Sequence, residues 1–179
     1  LINRRKKNEP IAYITNNKGF WRNDFITNKN VLIPRPDSEH LVEQTLRLIK
    51  KNQAKRILDV GVGSGCLAIS ILNERPHCRC DAIDTSKKAL KCAKINANLH
   101  QLSDRIKFYK RDVDNFYNDK YDLVISNPPY INKHQIKYLG AINYEPKIAL
   151  DGGLDGLEVI RKVISKSNYL LKTNGKLIL

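Results

Sequence analysis

From Arg56 onward, short runs of apolar and β-branched residues alternate with longer stretches whose apolar positions recur at helical spacing. That alternation predicts an α/β, Rossmann-like fold, a mostly parallel sheet with helices on both faces. The predicted strands are Arg56–Val60, Arg79–Asp84, Ile106–Tyr109, Asp122–Ser126 and Lys176–Leu179, and the helices fall near Cys66–Asn73, Ser86–Leu99 and Leu157–Leu171. Upstream, residues 11–33 place Tyr13, Phe20, Trp21 and Phe25 among β-branched neighbours. Breaks at Asn16-Asn17-Lys18-Gly19 and Asn28-Lys29-Asn30 make this stretch a β-hairpin or small meander. After Pro34-Arg35-Pro36, Asp37 and Ser38 are good helix openers. Leu41, Val42, Thr45, Leu46 and Ile49 then follow at helical spacing, so a helix of about 14 residues is expected. The chain divides into a hairpin linker region, 1–36, and an α/β domain, 37–179.

Asp59-Val60-Gly61-Val62-Gly63-Ser64-Gly65 stands where the first strand of this sheet gives way to its helix. Ligands of open α/β sheets bind beyond the carboxyl ends of strands, near the point where strand order reverses. Glycine lacks the Cβ that would keep the backbone away from a ligand. The spacing is G-x-G-x-G and not the G-x-G-x-x-G of a pyrophosphate cradle, which favours S-adenosylmethionine over a dinucleotide. Asp84 ends the second strand 23 positions after Gly61. It is placed to accept hydrogen bonds from both ribose hydroxyls and to repel a 2′-phosphate. Asp112 follows the third strand and can accept from an adenine amino group with Val113 against the ring, or can merely cap a turn. Asp59 can orient the ammonium of the cofactor or hold the loop through backbone N–H groups.

Asn127-Pro128-Pro129-Tyr130 closes the strand that begins near Asp122, on the same side of the sheet. Each proline fixes its own φ, lacks an N–H and forces the preceding residue into an extended conformation. The Asn127 side-chain oxygen and the Pro128 carbonyl can therefore accept the two hydrogens of an NH2 group. An amide or aromatic amine shares its lone pair with a π system and is a poor nucleophile. Two rigid acceptors encourage sp3 character and aim the lone pair at a sulfonium methyl, so placement supplies most of the acceleration. Tyr130 offers a flat face to a planar amide or base.

Composition changes this picture little. No apolar run approaches the roughly 20 residues that span a bilayer, and no secretory signal is visible, so no membrane partner is expected and a cytoplasmic protein is. Cys66, Cys78, Cys80 and Cys92 lack paired C-x-x-C spacing, and His40, His77, His100 and His134 are scattered, so no metal site is expected. The net charge of +14 is concentrated in residues 1–56, with 13 Lys or Arg against 5 Asp or Glu. A contact with nucleic acid or the ribosome through this basic N-terminal third is one reading, and solvated charge is the other. With no methionine and an apolar end at Leu177-Ile178-Leu179, the chain reads as part of a longer protein.

From about Glu9 to Leu179 the sequence resembles the HemK-type release factor glutamine methyltransferases. The resemblance is carried by Glu9-Pro10, Ala12-Tyr13-Ile14, Phe20-Trp21, Val31 to Glu39, Asp59 to Cys66, Asp84 with Ala89-Leu90, Ser126 to Ile131, and Tyr144-Glu145-Pro146 with Ala149-Leu150 and Gly153. Asn-Pro-Pro-Tyr alone is shared with enzymes that methylate the adenine amino group of DNA or RNA. Ile33-Pro34-Arg35-Pro36 and Tyr144-Glu145-Pro146 single out the glutamine enzymes. The resemblance implies a class I methyltransferase sheet and S-adenosylmethionine contacts at Gly61, Val62, Gly63, Ser64, Gly65, Asp84 and near Asp112 or Val113. It implies substrate contacts across Asn127 to Tyr130, and methyl transfer to the glutamine amide of the Gly-Gly-Gln loop of peptide chain release factors. It also implies that an N-terminal helical domain and a final strand pair lie outside these residues. Asn16-Asn17 replaces the family's glycine turn, a departure expected to affect the hairpin and not the chemistry. The alternatives are an adenine methyltransferase and a cofactor-binding module of a larger bifunctional protein.

Overall fold

The computed structural model describes residues 1–118, 120–138 and 144–179. Among the described residues the α-helices and β-strands are α1 (Ile2–Lys6), α2 (Ile11–Thr15), β1 (Asn17–Phe20), β2 (Asn23–Ile26), α3 (Glu39–Leu48), β3 (Arg56–Val60), α4 (Cys66–Glu74), β4 (Arg79–Asp84), α5 (Lys87–Leu99), β5 (Ile106–Lys110), β6 (Tyr121–Ser126), α6 (Glu158–Leu170) and β7 (Leu171–Ile178). β3 to β7 form one five-stranded sheet in the order β5-β4-β3-β6-β7, and every pairing is parallel. The chain runs outward from β3 through β4 to β5, then crosses back to lay β6 on the other side of β3. The strand order therefore reverses between β3 and β6, where a ligand crevice is expected.

Alternation along the strands sorts the core into two layers. Ile57, Leu123 and Ile125 face α3, α4 and α5 with Val42, Ile69, Leu72 and Ala93. Leu58, Val60 and Val124 face α6 with Val163 and Leu170. The β1–β2 hairpin adds Phe20 and Phe25 to the first layer. Phe25 is fully buried, worth about 1.5–3 kcal/mol in apolar burial.

Three expectations are corrected. Residues 11–15 form one helical turn after Pro10, ended by Asn16 in the left-handed region. The hairpin then reverses at Trp21, φ +55°, and not within Asn16 to Gly19. Tertiary contacts outweigh turn propensity here: the Trp21 backbone N–H donates to Glu39 at 2.8 Å and the indole N–H to Glu74 at 3.1 Å. The break at Asn28 to Asn30 does form, closed by Val31 N–H on the Asn28 carbonyl at 3.0 Å.

The helix expected from Asp37 is shorter. A 3-10 turn, Pro36–Ser38, precedes the ten residues of α3, and Arg75 takes the Leu46 and Ile49 carbonyls at its end. The last strand, β7, is longer than Lys176–Leu179. Its polar stretch Lys172-Thr173-Asn174-Gly175 shifts the register against β6, so the first half carries no apolar run to read.

Candidate functional site

The carboxyl ends of β3, β4 and β6 and the segment after β5 open into one cavity of about 900 Å³. Val60 to Ser64 form its floor, Ile83 to Ser86 and Arg111 to Val113 one side, and Asn127 with Pro129 the other. Asn30 to Arg35 and Ser38 cross one flank, and Lys147 to Ala149 with Asp151 to Leu154 cross another. The Ser126 hydroxyl donates to the Val60 carbonyl at 2.7 Å, which fixes the end of β6, and so Asn127, against the start of the glycine loop.

The loop is held by backbone bonds. Gly61 and Val62 N–H groups both donate to the Ile83 carbonyl, at 2.9 and 3.0 Å, and Gly65 N–H returns to the Val62 carbonyl at 2.8 Å. Gly61 has φ +79°, and a Cβ built there would meet nothing within 4 Å, so bare backbone faces open space. Asp84 takes Gly63 N–H on one oxygen at 3.1 Å and Ser86 N–H on the other at 2.8 Å. Burial raises the pKa of Asp84, opposed by these N–H groups. Each oxygen keeps lone-pair capacity toward the cavity it lines.

Of the residues read from sequence, Gly61, Val62, Gly63, Ser64, Asp84, Asp112, Val113, Asn127 and Pro129 line this cavity. Gly65 lies behind the loop as the N-cap of α4. Asp59 lies beneath the loop, fully buried, and among the described residues neither of its oxygens has a hydrogen-bond partner. Burial pushes its carboxyl up to about 7, opposed by the nearby Ala68 N–H, with the charge of Asp84 adding to the rise. Asp112 both lines the cavity and caps a turn, accepting Asp114 N–H at 2.9 Å. Pro128 is buried behind the wall, and Tyr130, 65% exposed, sits outside it. Cys66 also lines the wall, and burial pushes its thiol up to about 12, which keeps it protonated.

The Asn127 side chain donates from Nδ2 to the Ser38 hydroxyl at 2.8 Å. Among the described residues its oxygen accepts no hydrogen bond. The backbone after Pro129 is braced from outside: Ile131 N–H donates to the Leu150 carbonyl at 3.0 Å and Gly152 N–H to the Ile131 carbonyl at 2.9 Å. The geometry thus sets an amide oxygen that accepts no hydrogen bond among the described residues beside the start of the glycine loop, in the cavity that Asp84 also lines, an arrangement suited to group transfer onto an N–H-bearing nitrogen.

A model of the methyltransferase small domain matches residues 38–143, more than half of the chain. The chain belongs to this methyltransferase family. It is 40% identical to a release factor glutamine methyltransferase of Coxiella burnetii, an alignment covering 99% of this chain and 64% of that protein. It is 41% identical to a bifunctional methyltransferase of Rickettsia typhi, covering all of this chain and 39% of that protein. The chain thus spans between two fifths and two thirds of these relatives. An O-methyltransferase family protein from Burkholderia thailandensis superimposes with a TM-score of 0.56 at 20% identity, over 80% of this chain and 37% of that one. TrmN from Thermus thermophilus gives 0.56 at 22%, over 76% and 36%. At such identities the likeness concerns the fold.

The cavity is also lined by residues that no motif marks. Ser38 stood out as a helix opener and as part of the Val31 to Glu39 stretch, with no role assigned to its hydroxyl, which touches Asn127. Ile148, Leu154 and Lys162 line the cavity with no motif to flag them. Within the basic N-terminal third, Arg4, Arg22, Arg35 and Arg47 are paired with Glu9, Glu74, Glu145 and Glu43, while Lys6, Lys7, Lys29, Lys50 and Lys51 are exposed. Exposed cations also crowd α5, where Lys87, Lys88, Lys91 and Lys94 share a helix with no acidic residue. No described helix is long and apolar enough to cross a membrane.

Proposed function

We propose that the protein transfers a methyl group from S-adenosylmethionine to the side-chain amide nitrogen of a glutamine in a peptide chain release factor. The observation that carries this is the unpartnered Asn127 oxygen on the cavity wall, immediately before two prolines. Relatives at 40% and 42% identity, both named release factor glutamine methyltransferases, support the choice of an amide over a base.

The cavity residues fit such a cofactor. Gly61 presents backbone without a Cβ toward open space, and Asp84 is held by two backbone N–H groups while lining the same space. Gly61 to Ser64 would carry the methionine portion, Asp84 the ribose hydroxyls, and Asp112 with Val113 the adenine. Bound there, the cofactor supplies an electrophilic methyl on a sulfonium. Asn127 Oδ1 accepts an N–H group of the substrate amide and orients its lone pair. Tyr130, outside the wall, offers its ring to the arriving polypeptide. The attacking nitrogen loses one proton after transfer, and no strong base is needed because the product amide is barely basic.

The test is transfer of labelled methyl by the full-length protein to purified release factor, set beside DNA and RNA, with the modified residue located by mass spectrometry. Label on the glutamine of the Gly-Gly-Gln loop is expected. Label confined to nucleic acid would replace this reading with an adenine methyltransferase. The likeness to bifunctional relatives favours a second proposal, that the full-length protein carries another activity beside this one.

A further inference from the structure

We infer that Ser38 is a positioning residue for the transfer step, pinning the plane of the Asn127 amide so that its oxygen stays aimed at the acceptor nitrogen. The inference rests on the methyl-transfer reading above.

Pro128 restricts the backbone of Asn127 to an extended conformation. It does nothing for the terminal torsion of the side chain, which in asparagine is broad and roughly two-fold. A free amide would swing, and half its orientations would present N–H groups to a substrate that itself brings N–H groups. Among the described residues a single hydrogen bond restrains that torsion, Nδ2 to Ser38 Oγ at 2.8 Å. It joins two residues that both line the cavity.

Ser38 has a different job available, which it does not perform. It occupies the N-cap of α3, where a serine hydroxyl ordinarily accepts from a backbone N–H two or three residues on. Its φ of −69° and ψ of −13° are helical, and it makes no such side-chain bond. The hydroxyl of this buried serine is committed to Asn127 instead.

The mount is rigid. Ser38 N–H donates to the Arg35 carbonyl at 3.1 Å, closing the turn Pro36–Ser38, and Arg35 is ion-paired with buried Glu145. A hydroxyl can accept from Nδ2 or donate to Oδ1, so Ser38 fixes the amide plane. The substrate's own N–H groups then select the polarity with Oδ1 inward and Ser38 accepting behind.

Ser38→Ala and Ser38→Thr in the full-length protein test this. Ser38→Ala should lower kcat by about 10- to 100-fold, the scale of a small misplacement of a reacting group. The KM for the acceptor, the cofactor Kd and the urea midpoint should stay near wild type. Ser38→Thr, which keeps the oxygen, should recover most of kcat. The destination of the label in the wild type tests the proposed function. The variant-to-wild-type ratio, measured on whichever acceptor is labelled, tests Ser38. Side-chain amide NMR gives a reading independent of turnover: one Asn127 N–H resonance should be shifted by its hydrogen bond and lose that shift in Ser38→Ala. An unchanged kcat, a failed threonine rescue in a stable protein, a cofactor affinity that falls with kcat, or an unmoved resonance would each overturn the inference.

Discussion

Glu145 and Arg35, 110 positions apart in sequence, form an ion pair at the edge of the cavity, and the other Glu145 oxygen accepts Ile33 N–H at 3.0 Å. One carboxylate thus fastens the segment that crosses the pocket to the loop that follows the Asn-Pro-Pro-Tyr turn. Its side chain is 2% exposed, whereas that of Arg35 is 37% exposed and can rehydrate if its partner is lost. Glu145→Ala should therefore cost on the order of 1–3 kcal/mol, mostly from the stranded Ile33 N–H. Glu145→Gln should cost less, because it keeps an acceptor for that N–H. Urea unfolding at constant m is the measurement, and a Glu145→Gln as damaging as Glu145→Ala would mean that charge, and not the N–H, dominates.

Asn127→Ala removes an acceptor that matters in the transition state more than in cofactor binding. Methyl transfer should fall by about 10²-fold or more, with the cofactor Kd within a few-fold of wild type. Calorimetry beside single-turnover transfer separates the two, and parallel losses would assign Asn127 a structural role.

Asp59 predicts a pH dependence of stability. Its carboxyl sits at about 7 in the folded protein, raised mainly by burial, and near 3.9 when unfolded. Over that interval the folded state binds the extra proton, so this group's contribution is complete below pH ~4 and is lost as pH rises through ~7. Asp59→Asn should flatten that decline. Unfolding midpoints from pH 4 to 8 check the sign, and an equal slope in both proteins would remove Asp59 as its source.

Gly156 has φ +78°, and a Cβ there would lie 2.5 Å from the Tyr130 carbonyl oxygen. Backbone cannot yield as a side-chain tip can. Gly156→Ala should displace the chain just after Pro129, lowering both the melting temperature and kcat. A variant with wild-type melting and activity would show that the contact relaxes freely.

The central strands were legible because each carries its own apolar residues: Ile57-Leu58 and Leu123-Val124-Ile125 announce themselves without reference to neighbours. The glycine loop and Asp84 were legible for a related reason, since spacing after a strand reports backbone geometry. Trp21 was not, because the carboxylates that hold its turn lie at Glu39 and Glu74. Ser38 was hidden similarly: a serine before a helix has an ordinary local explanation, and only the folded chain reveals that its hydroxyl reaches a residue 89 positions away. Gly156 carries a constraint set by Tyr130, which local pattern does not contain.

Asn96, fully buried in α5, accepts Ile26 N–H at 2.8 Å and donates to the Ile26 carbonyl at 3.0 Å and the Ser64 carbonyl at 2.8 Å. One side-chain amide thereby imitates the peptide group of a neighbouring strand at the outer side of β2. An exposed strand edge is a template on which further chains can add. A side chain can occupy that template but cannot extend it. The hairpin edge is thus closed from within by α5, and replacing Asn96 with an apolar residue would leave the N–H and carbonyl of Ile26 without this partner.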